Sequence, residues 1–131
     1  MAKRGEKKTI LVIEDEAEIR HFISRVLEFE GYRVLEAKDG DEGLGLLRGG
    51  NIGLVLLDLS LPGRDGWSVI AEMKEEPELS AIPIVVVTAS AGVSQRGRAL
   101  SIGAADYIVK PLSAASIREA VNRILDGRRR C

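Results

Sequence analysis

Short apolar runs alternate along this chain with longer segments in which apolar residues recur at helical spacing. The runs at 9–13, 54–57, 84–87 and 107–109 have the composition of strands. Those at 54–57 and 84–87 are apolar throughout, which is typical of strands buried on both faces. A more polar run at 33–37 is typical of an edge strand. The pattern therefore predicts five strands alternating with five helices.

The predicted helices begin and end at residues with helix-capping chemistry. Gly31 stops the first helix in the C′ position, Asp65 is the predicted N-cap of the third, and Ser113 caps the last. In the fourth helix, we expect only Ala99 and Leu100 to be buried. The first helix is predicted to bury one face, made of Ile19, Phe22, Ile23, Val26 and Leu27.

Helical connections between successive strands indicate a parallel sheet with helices on both faces. The first, third and fourth strands are the most apolar and should be central, whereas the polar second strand should lie at an edge. Right-handed crossovers then favour the order 2-1-3-4-5, an α/β doubly wound sheet of the flavodoxin-like type. Its switch point, where ligands bind in such sheets, lies between strands one and three.

Length and composition fit one globular domain. The 131 residues are 45% hydrophobic and carry a net charge of −1, so no electrostatic attraction to nucleic acid or to a membrane surface is expected. We predict a domain over 9–126, a flexible N-terminal tail over 1–8 and a basic C-terminal tail over 127–131. No segment has the ~20 apolar residues of a membrane span. Cys131, the single cysteine, is consistent with a cytoplasmic protein.

Polar residues follow four of the five predicted strands. Glu14 and Asp15 follow the first strand, Asp58 the third, Thr88 the fourth and Lys110 the fifth, whereas the second strand delivers no comparable residue. The first and third strands flank the switch point, so the three carboxylates should converge there. That all five residues fall at the same end of the sheet argues against unrelated loop-capping residues.

This set of residues suggests phosphoryl chemistry. Three carboxylates in one pocket repel one another, by roughly 3 kcal/mol per pair at a separation of about 5 Å. A hard divalent cation removes this repulsion, and a site made only of oxygen ligands suits Mg²⁺. Asp58 could then attack phosphorus as a carboxylate nucleophile and form an aspartyl phosphate. Lys110 would supply a positive charge and Thr88 a hydroxyl donor to the phosphoryl group.

Four motifs carry a resemblance to a known family. They are ILVIEDE at 10–16, LLDLSLPGRDG at 56–66, VTAS at 87–90 and GAADYIVKPL at 103–112. Together they resemble the receiver domains of two-component response regulators, which have the chemotaxis-regulator-like fold. The resemblance extends from Thr9 to about Leu125, nearly the whole chain.

The resemblance implies a phosphoacceptor and a metal site. Asp58 would be the phosphoacceptor. Asp15, Asp58 and the backbone carbonyl of Ser60 would ligate Mg²⁺, with Mn²⁺ as an alternative. Glu14, which replaces the commoner Asp, would act through a metal-bound water.

It also implies residues that hold the phosphoryl group and respond to it. Thr88, Lys110 and the backbone N–H of Ala89 would contact the phosphoryl oxygens. Tyr107 would change rotamer when Thr88 moves, and the Lys110–Pro111 bond is expected to be cis.

The implied function is a signalling switch in a two-component phosphorelay. The domain would take a phosphoryl group from a sensor histidine kinase or a phosphotransfer protein, and would catalyse only its own phosphorylation and dephosphorylation. The face made of the fourth helix, fifth strand and fifth helix would then signal to a downstream protein effector. We expect a monomer when unphosphorylated, with no direct binding to nucleic acid or to membranes.

Two other functions use similar residues. A pseudo-receiver would bind partners without phosphorylation, although all the groups needed for phosphorylation are present here. A phosphatase of the haloacid-dehalogenase type would place its nucleophilic Asp directly after strand one, where this chain has Glu14. Whether the chain is a stand-alone regulator or a receiver from a larger protein is left open by the sequence.

Overall fold

The alternating pattern of the sequence forms a three-layer α/β fold. A computed structural model of the protein describes residues 8–89 and 93–126, so the predicted tails over 1–8 and 127–131 lie outside the described residues, except for Lys8. Over these two ranges, no helix has both the length and the apolar character needed to cross a bilayer. The elements are β1 (Thr9–Ile13), α1 (Ala17–Phe29), β2 (Arg33–Ala37), α2 (Gly40–Arg48), β3 (Leu54–Asp58), α3 (Gly66–Glu75), β4 (Ile84–Thr88), α4 (Val93–Ser101), β5 (Asp106–Val109) and α5 (Ala114–Asp126).

The five strands form one parallel sheet in the order β2-β1-β3-β4-β5, which confirms the predicted order. The register aligns the ends of neighbouring strands, since Asp58 pairs with Val87 and Thr88 pairs with Val109. β3 and β4 each include one more residue than predicted, Asp58 and Thr88. The carboxyl ends of β3, β4 and β5 therefore lie side by side.

Apolar side chains cover both faces of the sheet. On one face, α2, α3 and α4 pack over residues such as Leu11 and Leu57. On the other face, α1 and α5 pack over residues such as Val12 and Leu56. β1, β3 and β4 are almost completely buried because each lies between two neighbouring strands and two helical layers. The central strands thus form a rigid support for the residues at their ends.

The capping residues act as the sequence predicts. Gly31 has a positive φ of 98°, the left-handed conformation that favours glycine at the end of a helix. The side chain of Asp65 accepts a hydrogen bond from the N–H of Ser68 at 2.9 Å. Ser113 Oγ accepts one from the N–H of Ser116 at 3.0 Å. These bonds satisfy N–H groups that have no partner inside their helices.

Two residues predicted to be buried are largely exposed. Phe22 on α1 is 41% exposed and Leu100 on α4 is 44% exposed, whereas their neighbours Ile23 and Ala99 are buried at 1% and 0%. Successive residues on a helix point about 100° apart, and each of these helices is rotated so that Ile23 and Ala99 face the sheet while Phe22 and Leu100 do not. The set of apolar residues at helical spacing therefore includes residues that lie outside the face that each helix packs against the sheet.

α4 has an attachment that periodicity does not reveal. The guanidinium of Arg98 lies over the ring of Trp67, with 4.0 Å between its central carbon and the ring centroid. Such a contact contributes about 0.5–1 kcal/mol at an exposed site. It joins α4 to the first turn of α3, the helix that follows the Asp58 loop.

Two glycines in α2 should respond oppositely to substitution by alanine. A Cβ at Gly43 would lie 2.4 Å from the Cδ1 atom of the buried Ile13, whereas a Cβ at Gly45 would have no neighbour within 4 Å. We expect Gly43→Ala to lower the free energy of unfolding by about 1–3 kcal/mol through overpacking. Gly45→Ala should raise it by about 0.5–1 kcal/mol through helix propensity.

Urea unfolding of both variants beside the unmodified protein measures these changes. Equal effects of the same sign would show that packing against Ile13 does not distinguish the two positions.

Candidate functional site

The ends of β1 and β3 bring three carboxylates together at the predicted switch point. One carboxylate oxygen from each of Glu14, Asp15 and Asp58 lies within 4.8 Å of the others. Glu14 is 1% exposed and Asp58 is 3% exposed, whereas Asp15 is open to solvent. The cluster therefore has two buried members and one accessible member.

The ammonium group of Lys110 contacts both buried carboxylates. Its Nζ atom donates to Asp58 Oδ2 at 3.1 Å and lies 3.4 Å from Glu14 Oε1. Burial opposes the charged form of Lys110, but the hydrogen bond to Asp58 and the charges of Asp58 and Glu14 outweigh it and raise the lysine pKa. The Lys110 N–H donates to the Thr88 carbonyl at 2.8 Å, which fixes the start of this loop. The next bond, Lys110–Pro111, is cis, as the resemblance implied.

The environment of Glu14 disfavours its charged form. Burial, aided by the negative charge of Asp58, raises the pKa of Glu14 to about 7, although the Glu16 N–H and Lys110 act in the opposite direction. Its Oε2 atom accepts from Glu16 N–H at 3.1 Å. Its Oε1 atom is the one buried side-chain oxygen or nitrogen without a hydrogen bond in the part of the chain that the structure describes.

These observations fit a hard divalent cation. Glu14 Oε1 accepts no hydrogen bond, although it is ion-paired with Lys110 at 3.4 Å. With two further carboxylates beside it, this oxygen has a lone pair available for a cation or for a water bound to one. All the side-chain donors in the cluster are oxygens, which suits Mg²⁺ and does not suit metals that prefer thiolate.

Backbone packing holds Asp58 from the other side. Asp58 Oδ1 accepts a hydrogen bond from the Ser60 N–H at 2.9 Å. A Cβ on Gly66 would lie 2.7 Å from both the Asp58 carbonyl oxygen and Leu59 Cα. Glycine at this position therefore lets the start of α3 lie directly on the Asp58 backbone. In the sequence, Gly66 indicated only the start of a helix.

The other predicted residues lie on neighbouring strands. Thr88 is buried at the end of β4, one residue beyond the partner of Asp58, and Ala89 follows it at the exposed surface. Tyr107 is half-buried on β5, opposite Val86. Ser90, the last residue of VTAS, lies outside the described residues. The roles of these residues stay predictions.

Sequence reasoning missed two residues that support the site. Arg20 on α1 donates from Nη1 to the Glu14 carbonyl at 2.8 Å, and from Nε to Glu36 Oε1 at 3.0 Å. We expected no site residue from β2, but its Glu36 binds the Arg20 side chain that contacts the backbone of Glu14. In the sequence, the only indication of this role was that Glu36 is a charged residue in a short strand next to β1.

Comparison with protein-family models matches residues 10–122 to the response regulator receiver domain. The transcriptional regulatory protein ResD of Bacillus subtilis is 41% identical over 124 residues, which cover 95% of this chain and 49% of ResD. The phosphate regulon transcriptional regulatory protein PhoB of Escherichia coli is 42% identical over 121 residues, covering 89% of this chain and 53% of PhoB.

Solved structures give the same result. The CheY-like response regulator receiver domain protein from Methanospirillum hungatei superposes with a TM-score of 0.85 at 28% sequence identity. The match covers 95% of this chain and 98% of that chain. In contrast, the chain spans about half the length of the curated relatives that it matches.

These relatives correct the expectation about partners. We expected no direct binding to nucleic acid, in keeping with a net charge of −1, and a protein effector from the family resemblance, but both curated relatives are named as transcriptional regulatory proteins. The exclusion of nucleic acid is therefore wrong. It failed because the net charge of this segment describes only about half the length of such proteins.

Glu14 should make stability depend on pH when no divalent cation is present. Its pKa rises from 4.5 to about 7 on folding, so the folded protein holds a proton that the unfolded chain has released across this window. Its contribution is complete at low pH and is lost as the pH rises to about 7. We expect the free energy of unfolding, relative to Glu14→Gln, to fall by about 1–3 kcal/mol across this window.

Urea unfolding of both proteins in a chelator, at a series of pH values, measures this difference. A constant difference across the whole pH range would contradict the assigned environment of Glu14.

Proposed function

This chain belongs to the receiver domains of response regulators, a family of signalling switches, and we propose that it accepts a phosphoryl group on Asp58. The observation that carries the proposal is the buried Asp58 carboxylate at the end of β3, contacted by Lys110 and accompanied by Glu14 and Asp15. We further propose that residues 9–126 form the receiver unit.

The acidic residues would hold the metal that the reaction needs. Asp15, Asp58 and the Ser60 carbonyl would bind Mg²⁺ or Mn²⁺ directly, and Glu14 would act through water. The exposed Asp15 and the Glu14 oxygen without a hydrogen bond support this division. Bound Mg²⁺ would neutralise negative charge on the phosphoryl oxygens.

The chemical step requires one new bond at Asp58. A carboxylate oxygen of Asp58 attacks phosphorus, and the bond from phosphorus to the donor breaks. The departing electron pair stays on the imidazole nitrogen of a phosphohistidine or on the acetate oxygen of acetyl phosphate. Lys110 provides positive charge, and the Thr88 hydroxyl and Ala89 N–H donate hydrogen bonds to the phosphoryl oxygens. The resulting aspartyl phosphate is later hydrolysed.

The new charge would change the surface beyond β4. Phosphorylation replaces the single negative charge of the Asp58 carboxylate with a phosphoryl group that carries about −1.5 to −2 charges, and we propose that Thr88 moves toward this group while Tyr107 turns into the space that is vacated. The α4–β5–α5 face would then change, because Tyr107 lies on β5 and packs partly against the core beneath it. The ion pair between Asp106 and Arg123 lies on this face.

Transcription is the process that we propose this switch controls. The transcriptional regulatory proteins ResD and PhoB match about nine-tenths or more of this chain. A cytoplasmic location stays a prediction, which rests on the single cysteine and on the family.

Replacement of Asp58 should abolish phosphorylation. The unmodified protein with acetyl phosphate and Mg²⁺ should gain the mass of one phosphoryl group, measured by intact-mass spectrometry. Asp58→Asn should show no gain, because the amide cannot act as the nucleophile. Asp41→Asn, a change at a carboxylate that is 77% exposed on α2, is the matched control and should be modified normally. Undiminished labelling of Asp58→Asn would rule out the assignment.

Replacement of Lys110 should separate metal binding from phosphorylation. Lys110→Met removes a cation that occupies Asp58 and Glu14, so Mg²⁺ should bind as tightly as before or more tightly. Phosphorylation by acetyl phosphate should slow by about 100-fold, since a group that stabilises charge in the transition state is lost.

Lys38→Met, at an exposed position in the loop after β2, controls for the loss of one positive charge. A Lys110→Met protein that is unfolded by circular dichroism would show that Lys110 belongs to the scaffold and does not act only in the reaction.

A further inference from the structure

The guanidinium group of Arg20 contacts the backbone of the turn between β1 and α1. Arg20 Nη1 donates to the Glu14 carbonyl at 2.8 Å and makes a longer contact of 3.5 Å with the Asp15 carbonyl. Its side chain is only 15% exposed. We propose that Arg20 is a positioning residue, which holds the backbone that presents the Glu14 and Asp15 carboxylates to the metal. This inference rests on the proposed function.

Arg20 is itself held in place from behind. Its Nε atom donates to Glu36 Oε1 at 3.0 Å, and the Ser24 hydroxyl donates to Glu36 Oε2 at 2.7 Å. Ser24 is 4% exposed. Burial opposes the charge on Glu36, but the hydrogen bonds from Ser24 and Arg20 outweigh it and lower the Glu36 pKa. Glu36 therefore stays ionised and fixes the guanidinium relative to β2.

The turn has few other constraints. The Glu14 N–H donates to the Ala37 carbonyl at 3.0 Å as the last bond between β1 and β2. After this bond, the Glu16 N–H donates a hydrogen bond to the Glu14 carboxylate at 3.1 Å. Asp15 lies between these points and is exposed. The contacts from Arg20 are thus what sets the direction of the turn at Glu14 and Asp15.

A simple electrostatic effect predicts the opposite result from positioning. Removing a positive charge near an anionic site should strengthen the binding of a cation. Loss of a partner that orients metal ligands should weaken it, typically by 10- to 100-fold. The sign of the change in Mg²⁺ affinity therefore decides between the two explanations.

The test uses three variants of the whole chain. Arg20→Met removes the contact to the turn, and Ser24→Ala removes one hydrogen bond to Glu36 without changing any charge. Arg48→Met is the matched control: it removes the same charge from α2 on the opposite face of the sheet, where Arg48 pairs with Glu72 and Glu76. NMR titration with MgCl₂ gives the affinity, and amide hydrogen exchange without metal gives the rigidity of the turn.

We expect Arg20→Met to bind Mg²⁺ about 10-fold more weakly and to exchange the amides of residues 14–16 faster. Ser24→Ala should change both quantities in the same direction but by less, and Arg48→Met should change neither. Equal or tighter Mg²⁺ binding by folded Arg20→Met would overturn the proposal. If Arg20→Met does not fold, unchanged affinity and exchange in Ser24→Ala would overturn it.

The two proposals fail in different ways. An unmodified protein that neither binds Mg²⁺ nor becomes phosphorylated would refute the proposed function. The exchange measurement without metal would still decide the role of Arg20, because unchanged exchange at residues 14–16 in Arg20→Met would refute positioning.

Discussion

The ammonium group of Lys110 lies between two buried carboxylates, and the rest of the site depends on this contact. Asp58 Oδ2 and Glu14 Oε1 lie 3.1 and 3.4 Å from Lys110 Nζ. The oxygens of these two carboxylates lie within 4.8 Å of each other, and without a cation two such charges would repel by roughly 3–4 kcal/mol at an effective dielectric constant of about 20. Lys110 brings one positive charge to a cluster of three carboxylates, and burial raises the pKa of Glu14 to about 7. The protein therefore keeps a site with excess negative charge that a divalent cation can complete.

Two loops carry these carboxylates, and each is held by a different kind of contact. The β3–α3 loop is fixed by close packing, since Gly66 lets α3 lie against the Asp58 backbone. The β1–α1 turn is fixed by side-chain hydrogen bonds from Arg20, which Glu36 and Ser24 support. Both loops begin at strands with almost no exposed surface. A cluster of like charges can persist here because the backbone beneath it has little freedom to relax.

The family and the process it serves have different kinds of support. Strand-end chemistry and the match over residues 10–122 agree on the receiver domain. Involvement in transcription rests on relatives of which this chain spans about half. Net charge was a poor guide to partners because it averages over the segment at hand, whereas contact with nucleic acid depends on where basic residues are concentrated.

The sequence by itself determined the element order, the strand order and the residues that converge at the switch point. These features follow from local rules: apolar content separates central from edge strands, capping residues end helices, and polar residues end buried runs. Only the tertiary structure decided that Phe22 and Leu100 are exposed, that Gly43 must accommodate Ile13, and that Arg20 reaches Glu36. These contacts join elements that are separate in sequence. Their geometry depends on how each helix is rotated about its own axis where it packs on the sheet. The helical spacing of apolar residues in the sequence does not determine that rotation.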